Sequence, residues 1–142
     1  MLTGVVAGAV LLLCLALVIA VARDPGPPPG EVALAYELAW DRLDFETLWS
    51  LSGPELRDDR SKPEFVTAKR AAYDRTPGLA GLARDVSLED VAGGTDVAVA
   101  RTRVELTDGA VVRNELRLAR REGSWQVVAY ELRDSSDTPS GT

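Results

Sequence analysis

The sequence predicts an α+β fold in which an N-terminal transmembrane helix precedes a domain of about three helices packed on a curved antiparallel sheet of about four strands. Three patterns support this prediction. Residues 2–22 carry no charge, residues 31–75 show apolar side chains at three- and four-residue spacing, and residues 85–133 alternate apolar and polar side chains between glycine-containing turns. These patterns are typical of a membrane span, amphipathic helices and half-buried strands. Helices followed by a run of strands favour a helical layer on one sheet.

The charge-free residues 2–22 are expected to anchor the protein in the cell membrane as a single-pass helix. At a rise of about 1.5 Å per residue this segment spans roughly 31 Å, close to the thickness of a bilayer hydrocarbon core. A cleaved signal peptide is the alternative, because residues 20–22 read Ala-Val-Ala and fit a cleavage site. The anchor is favoured because no basic region precedes the run, which is longer than a usual signal. Only Arg23, next to Asp24, flanks the span, so the side on which the soluble domain lies stays open.

The composition excludes several kinds of site. The net charge is −6, and an acidic surface is repelled by phosphates, so no nucleic acid partner is expected. The sequence has no histidine and a single cysteine, Cys14, inside the apolar segment. Zinc sites built on these residues, Ser-His-Asp catalysis and disulfide bonds are therefore excluded. We identify no metal site, no cofactor-binding motif and no catalytic residue in the sequence.

The chain after the apolar segment divides into three parts. Residues 23–30 are rich in proline and glycine and are expected to form a semi-rigid linker. Residues 31–133 are expected to form the domain, and residues 134–142 a disordered tail.

Helices are predicted over residues 31–43, 45–51 and 62–75. The expected N-cap of the second helix is Asp44, and Ser61 with Glu64 has the pattern of a capping box before the third. Helical spacing predicts the buried face of each long helix, which comprises Val32, Ala35, Tyr36, Ala39, Trp40 and Leu43 in the first and Phe65, Ala68 and Ala72 in the third.

Strands are predicted over residues 85–91, 96–107, 110–120 and 125–133. The middle hairpin is expected to turn through a three-residue loop at residues 108–110, because that register separates an apolar face from a charged one. The predicted pairs are Leu106 with Val112, Thr102 with Leu116 and Ala100 with Leu118 on the apolar face, and Glu105 with Arg113 and Arg103 with Glu115 on the charged face.

Three segments resemble the nuclear transport factor 2-like (NTF2-like) superfamily. Residues 35–49, AYELAWDRLDFETLW, look like its first two helices; residues 61–73 are similar to its third helix; and residues 123–128, GSWQVV, are similar to its closing strand. The resemblance covers about residues 31–133 and implies a cone-like domain, as in membrane-tethered bacterial members without an assigned activity. Enzymes of this superfamily work inside the cone with Asp, His or Tyr as acid–base groups. Since histidine is absent, a His-dependent dehydratase is excluded, whereas an isomerase with a carboxylate and a phenol on the concave side is not.

Four residues are candidates for a ligand pocket inside the cone: Tyr36, Trp40, Asn114 and Tyr130. Asn114 is the most informative, because it lies on the apolar face of its strand and a buried amide needs hydrogen-bond partners. It could bind a ligand or bond to neighbouring backbone. The register of the last hairpin would place either Tyr130 or Glu131 opposite it. Tyr36 and Trp40 share a helical face and could line a pocket or belong to the core.

The leading hypothesis is a membrane-anchored, non-catalytic binding or scaffolding domain that self-associates through apolar residues on the outer sheet face, namely Val97, Val99, Ala119 and Trp125. The alternative is a small-molecule-binding protein, or a lyase or isomerase, that takes a hydrophobic ligand in the cone. A third hypothesis is a structural subunit with a membrane protein partner.

Overall fold

The computed structural model describes residues 26–134, and the predicted anchor at residues 2–22 lies outside this range. The elements in chain order are α1 (Pro29–Arg42), α2 (Phe45–Leu51), a 3-10 turn (Pro54–Leu56), α3 (Lys62–Tyr73), β1 (Ala83–Gly93), β2 (Val97–Leu106), β3 (Val111–Arg121) and β4 (Ser124–Asp134). The predicted α+β fold of three helices on a four-stranded antiparallel sheet is therefore confirmed. No helix among the described residues is long and apolar enough to cross a membrane.

The predicted caps set the starts of α2 and α3. The Thr47 amide donates to the Asp44 carboxylate at 3.1 Å, which caps α2 as expected. At α3, the Glu64 amide donates to the Ser61 hydroxyl and the Ser61 amide donates to Glu64, so both halves of the capping box are present. Each bond spans three residues, which is why sequence spacing alone located these helix starts.

The first helix begins earlier than predicted. It includes Pro29 and Gly30, which were assigned to the linker, and Gly30 is buried against β1. A Cβ at Gly30 would lie 2.7 Å from the Leu88 side chain, so the glycine lets the start of α1 approach the sheet closely. The first helix therefore extends two residues into the predicted linker.

Two predicted helix faces need correction. In α1 the buried stripe includes Ala33 and Glu37, whereas Ala35 is only half-buried. In α3 the buried residues are Phe65 and Val66, and the predicted Ala72 is exposed. The helix α3 packs on α2 rather than on the sheet, and its fully buried residues lie in its N-terminal half.

The four strands pair in sequence order, and their inner face is buried against α1 and α2. The core cluster joins residues of all three helices to the inner faces of β2, β3 and β4, and consists of Val32, Ala33, Tyr36, Ala39, Phe45, Leu48, Phe65, Val66, Ala98, Ala100, Leu116, Leu118 and Val127. The apolar face predicted for the middle hairpin is therefore the one that packs on the helices.

The predicted pairs in the middle hairpin are wrong by two positions. Thr102 pairs with Asn114 rather than with Leu116, and Arg101 rather than Arg103 pairs with Glu115. The loop is residues 107–109, in which the Gly109 amide donates to the Leu106 carbonyl at 3.0 Å and Gly109 has a φ of +88°. A loop at residues 108–110 would require that left-handed conformation of an alanine, which costs more than in glycine. Because the shift is even, each side chain stays on its predicted face.

Candidate functional site

The helix α1 carries a glutamate on the side that packs against the sheet. Glu37 is only 5% exposed, and its side chain reaches the inner face of the sheet. Long charged side chains are rarely buried without partners, because the removal of a carboxylate from water costs on the order of several kcal/mol. The partners of Glu37 therefore decide how this buried group is tolerated.

Three neutral side chains from three strands donate to Glu37. The Thr102 hydroxyl donates to Oε1 at 2.6 Å, and the Asn114 amide nitrogen donates to the same oxygen at 2.9 Å. The Tyr130 hydroxyl donates to Oε2 at 3.0 Å. The Asn114 nitrogen also lies 2.8 Å from the Tyr130 hydroxyl. We refer to Glu37, Thr102, Asn114 and Tyr130 as the Glu37 cluster.

Neutral donors, rather than a cation, satisfy the buried carboxylate. Both carboxylate oxygens accept hydrogen bonds from these donors. No described Lys or Arg forms a salt bridge with Glu37. Hydrogen bonds disperse the negative charge but do not neutralise it, so the cluster keeps a net negative charge inside the domain.

The phenol of Tyr130 is held in its protonated form. Burial is the main reason that the pKa of Tyr130 is raised above its ordinary value, and the negative charge of Glu37 and its hydrogen bond add to the effect. Burial also raises the pKa of Tyr36, whose ring centroid lies 5.4 Å from that of Tyr130, although the Trp40 and Ser52 side chains partly offset that shift. The Tyr130 hydroxyl therefore keeps its proton and acts as a hydrogen-bond donor at neutral pH.

The Glu37 cluster opens onto a cavity between α1 and the sheet. The cavity has a volume of about 220 Å³ and is lined by Glu37, Trp40, Asp41, Leu79, Leu82, Ala83, Val104, Leu106, Val112, Asn114 and Tyr130. Its polar end is the cluster, and most of its remaining wall is apolar. Leu79 and Leu82 are 36% and 42% exposed, so the segment before β1 forms the rim.

Asp41 holds this rim segment in place. Its Oδ1 accepts the Ala83 amide at 2.8 Å, and its backbone carbonyl accepts the Gly81 amide at 2.8 Å. Asp41 follows Glu37 by one helical turn, and both carboxylates line the cavity.

A larger groove of about 540 Å³ runs along the surface of α3 and is lined by Arg60, Pro63, Glu64, Thr67, Ala68 and Ala71. Most of these side chains are exposed, and its one carboxylate, Glu64, already caps α3. We therefore place the candidate site at the Glu37 cluster, where buried polar groups converge on an apolar cavity. Within residues 26–134 no group of three or more Cys, Asp or Glu side chains could hold a metal ion.

Three of the four predicted pocket residues line this cavity. Trp40, Asn114 and Tyr130 are in its wall, whereas Tyr36 is 4% exposed and belongs to the core cluster. The Trp40 indole N–H is buried and forms no hydrogen bond of acceptable geometry with a described residue. That these residues bind a ligand stays a prediction.

The environment of Asn114 differs from the expected backbone bond and from both expected registers, whereas ligand binding by Asn114 stays a prediction. Its side-chain partners are Glu37 and Tyr130, not the backbone. Its pairing partner on β4 is Leu132 rather than Tyr130 or Glu131, because a register shift between Arg117 and Leu118 lies between the hairpin turn and Asn114. Tyr130 pairs with Leu116 and reaches Asn114 diagonally.

Sequence reasoning missed Glu37, Thr102 and Asp41 as site residues. A signal for Glu37 was available, since it lies four residues after Ala33 and three before Trp40 on the helical stripe. Thr102 is also predicted on the apolar face, but threonine is common in strands, so that position alone did not mark a site.

The arrangement of helices and sheet is the NTF2-like fold, as expected. An NTF2-like transpeptidase from Campylobacter jejuni, provisionally named as such, matches with a TM-score of 0.51 and 18% identity, over 71% of this chain and 97% of that chain. An NTF2-like protein of unknown function from Silicibacter pomeroyi matches with a TM-score of 0.49 and 19% identity, over 72% of this chain and 91% of that chain. Another, from Shewanella baltica, matches with a TM-score of 0.47 and 14% identity, over 73% of this chain and 90% of that chain. No protein-family model matches the sequence, and no curated protein matches it. At these identities the likeness is one of fold alone.

Proposed function

We propose that this protein is a membrane-anchored binding module that takes a compact small molecule into the cone. The observation that carries the proposal is the buried Glu37 cluster at the polar end of an otherwise apolar cavity. Cavities with an apolar wall and a few convergent polar groups are the usual form of ligand sites. The anchor is supported by the charge-free residues 2–22, whose length matches a bilayer core.

The volume of about 220 Å³ is below that of pockets for drug-sized ligands, which hold about 300–1,000 Å³. The ligand is therefore compact. Its apolar body contacts Val104, Leu106 and Val112, and its polar group meets the Glu37 cluster.

A cavity-filling variant tests this proposal. The full chain in detergent would be screened by thermal shift against a library of compact fragments, first as wild type and then as Val112→Phe, which places a ring in the cavity. Val111→Phe is the matched control, because Val111 is the preceding residue on β3 and its side chain points to the outer face. Fragments that raise the Tm of wild type and of Val111→Phe, but not of Val112→Phe, would support the site. Equal shifts in all three proteins, or none in wild type, would contradict it.

The pairing of Glu37 with Tyr130 favours one alternative, a lyase or isomerase that acts on a hydrophobic ligand. A carboxylate with a nearby phenol donor is the pair that proton abstraction beside a carbonyl requires. Deuterium incorporation from D₂O into a cyclic enone, followed by NMR, tests this alternative. Catalysis would be supported if the wild-type protein accelerates the exchange and Glu37→Gln does not. An exchange rate that is the same with wild type as without protein would contradict it.

Self-association through the outer sheet face is a separate proposal. Val97 is 60% exposed and pairs with Ala119, which supports it. The middle of that face is charged, however, because Glu115 accepts ion pairs from Arg101, Arg117 and Arg133. Trp125 is only partly exposed and packs against the core instead. Analytical ultracentrifugation in detergent tests it, and monomer alone at high concentration would contradict it.

A further inference from the structure

The charge of the cavity points to the chemical class of its ligand. We infer that the cone selects an organic cation, a compact molecule with an apolar or aromatic body and an ammonium group that meets Glu37. This inference rests on the proposed function and goes beyond it, because a binding cavity alone does not specify the charge of what it binds.

The first step is the charge of the wall. The described residues that line the cavity include two carboxylates, Glu37 and Asp41, and none of these described residues is Lys or Arg. An anionic ligand would place its charge beside these carboxylates, and Glu37 is only 5% exposed, so water screens the repulsion less than it does between surface charges. The cavity therefore disfavours anions.

The second step is the incomplete compensation of Glu37. It is 5% exposed and all its partners are neutral. Buried charges in proteins are usually paired with an opposite charge. Among the described residues two neutral donors meet Oε1, whereas Oε2 accepts only from Tyr130, so Oε2 has a lone pair for a further donor. A ligand ammonium at Oε2 would supply both the donor and the missing positive charge.

The third step concerns Lys69, a described cation that lies near Trp40 in the cavity wall. Lys69 lies 5.9 Å from the Trp40 ring, but it is paired with Asp58 at 3.5 Å and does not line the cavity. The apolar wall opposite the cluster then accommodates the hydrocarbon body, and the exposed rim at Leu79 and Leu82 allows entry.

Three probes of similar shape test the inference: 2-phenylethylammonium, 2-phenylethanol and phenylacetate. Binding to the full chain in detergent would be measured by isothermal titration calorimetry. We expect the ammonium to bind at least about tenfold more tightly than the alcohol, and phenylacetate to bind most weakly. Glu37→Gln should lose about tenfold for the ammonium and change the alcohol by less than about twofold.

Glu31→Gln is the matched control. Glu31 lies in the first turn of α1, is exposed and does not line the cavity, so this variant makes the same change in net charge away from the site. We expect it to keep the preference for the ammonium. If Glu37→Gln does not fold, the order of the three probes on wild type still tests the inference.

Two results would overturn it in distinguishable ways. An alcohol or carboxylate that binds wild type as tightly as the ammonium would contradict the selection of cations, while leaving the cone as a binding site. The absence of binding by all three probes would overturn the inference and the proposed function together.

Discussion

The hydroxyl of Tyr130 donates to Glu37 Oε2 at 3.0 Å, and this bond ties the first helix to the last strand of the sheet. Thr102 and Asn114 make the same connection from β2 and β3. Glu37 therefore joins α1 to three consecutive strands, in addition to the apolar contacts that hold the helix on the sheet. The cluster contributes to stability as well as to the proposed ligand site, and the two roles can be measured separately.

Removal of the Tyr130 hydroxyl should destabilise the domain. We expect Tyr130→Phe to lower the free energy of unfolding by about 1–3 kcal/mol, because it leaves Oε2 of a buried carboxylate without its donor. Urea denaturation of the full chain followed by circular dichroism is the measurement. Tyr73→Phe is the control, since Tyr73 contributes its ring to the aromatic contacts with Trp40 and Phe45 and its hydroxyl bonds to no other described residue. A loss as large in the control as in Tyr130→Phe would contradict the assignment.

Alkaline pH should destabilise the domain through the same residue. The pKa of Tyr130 is raised in the folded state, with burial as the main cause. Its contribution is therefore fully present below the unfolded pKa of about 10, and it is lost as pH rises from there toward the folded value. We expect the free energy of unfolding to fall between about pH 9.5 and 11.5 and to fall less steeply in Tyr130→Phe. Tyr36, whose pKa is also raised, should keep part of the slope in that variant, and identical slopes in both proteins would contradict the role of Tyr130.

Acid pH should weaken the start of α2. The hydrogen bonds from the Thr47 side chain and backbone hold the pKa of Asp44 below its usual range. The cap therefore stabilises the fold above the unfolded pKa of about 3.9, and this contribution is lost as pH falls through the folded value. We expect Asp44→Ala to cost about 1 kcal/mol at neutral pH and progressively less on acidification. Urea denaturation at several pH values checks this, and a cost that does not change with pH would point to a cause other than the cap.

The middle hairpin should depend on glycine at position 109. Gly109 has a φ of +88°, and a Cβ there would meet no atom within 4 Å, so the cost of a side chain is conformational alone. We expect Gly109→Ala to destabilise the domain by about 1–2 kcal/mol in urea denaturation. Gly94→Ala is the control, because Gly94 also has open space and its φ is not positive. An equal effect of both substitutions would contradict the loop geometry.

Much of the fold could be predicted because its signals are local. The Asp44 cap and the Ser61–Glu64 capping box each act within three residues, so spacing alone located two helices. The alternation in β2 and β3 identified the inner face even though the pairing was shifted, since an even shift leaves the faces unchanged. The pairing itself depended on which residue takes the left-handed conformation in a short loop, and Gly109 rather than Ala110 takes it.

The candidate site could be predicted only in part, because its residues are far apart in the chain. Asn114 attracted attention as an amide on an apolar face, and Trp40 and Tyr130 as aromatics. Glu37 lies next to the predicted apolar stripe of its helix, but a charged residue at such a position is not by itself a sign of burial. Its burial depends on donors from three strands, at positions 102, 114 and 130.

The sequence by itself determined the order of helices and strands, the two capped helix starts and the absence of histidine chemistry, because composition and short-range spacing are sufficient for these features. Only the tertiary structure decided that Glu37 faces the sheet, that Asn114 bonds to side chains, and that these groups meet an open cavity. Register shifts in β3 and β4 bring Tyr130 diagonally to Asn114, and the packing of α1 on the sheet brings Glu37 to both. Such contacts depend on how whole elements pack, because no local interaction brings together residues so distant in sequence.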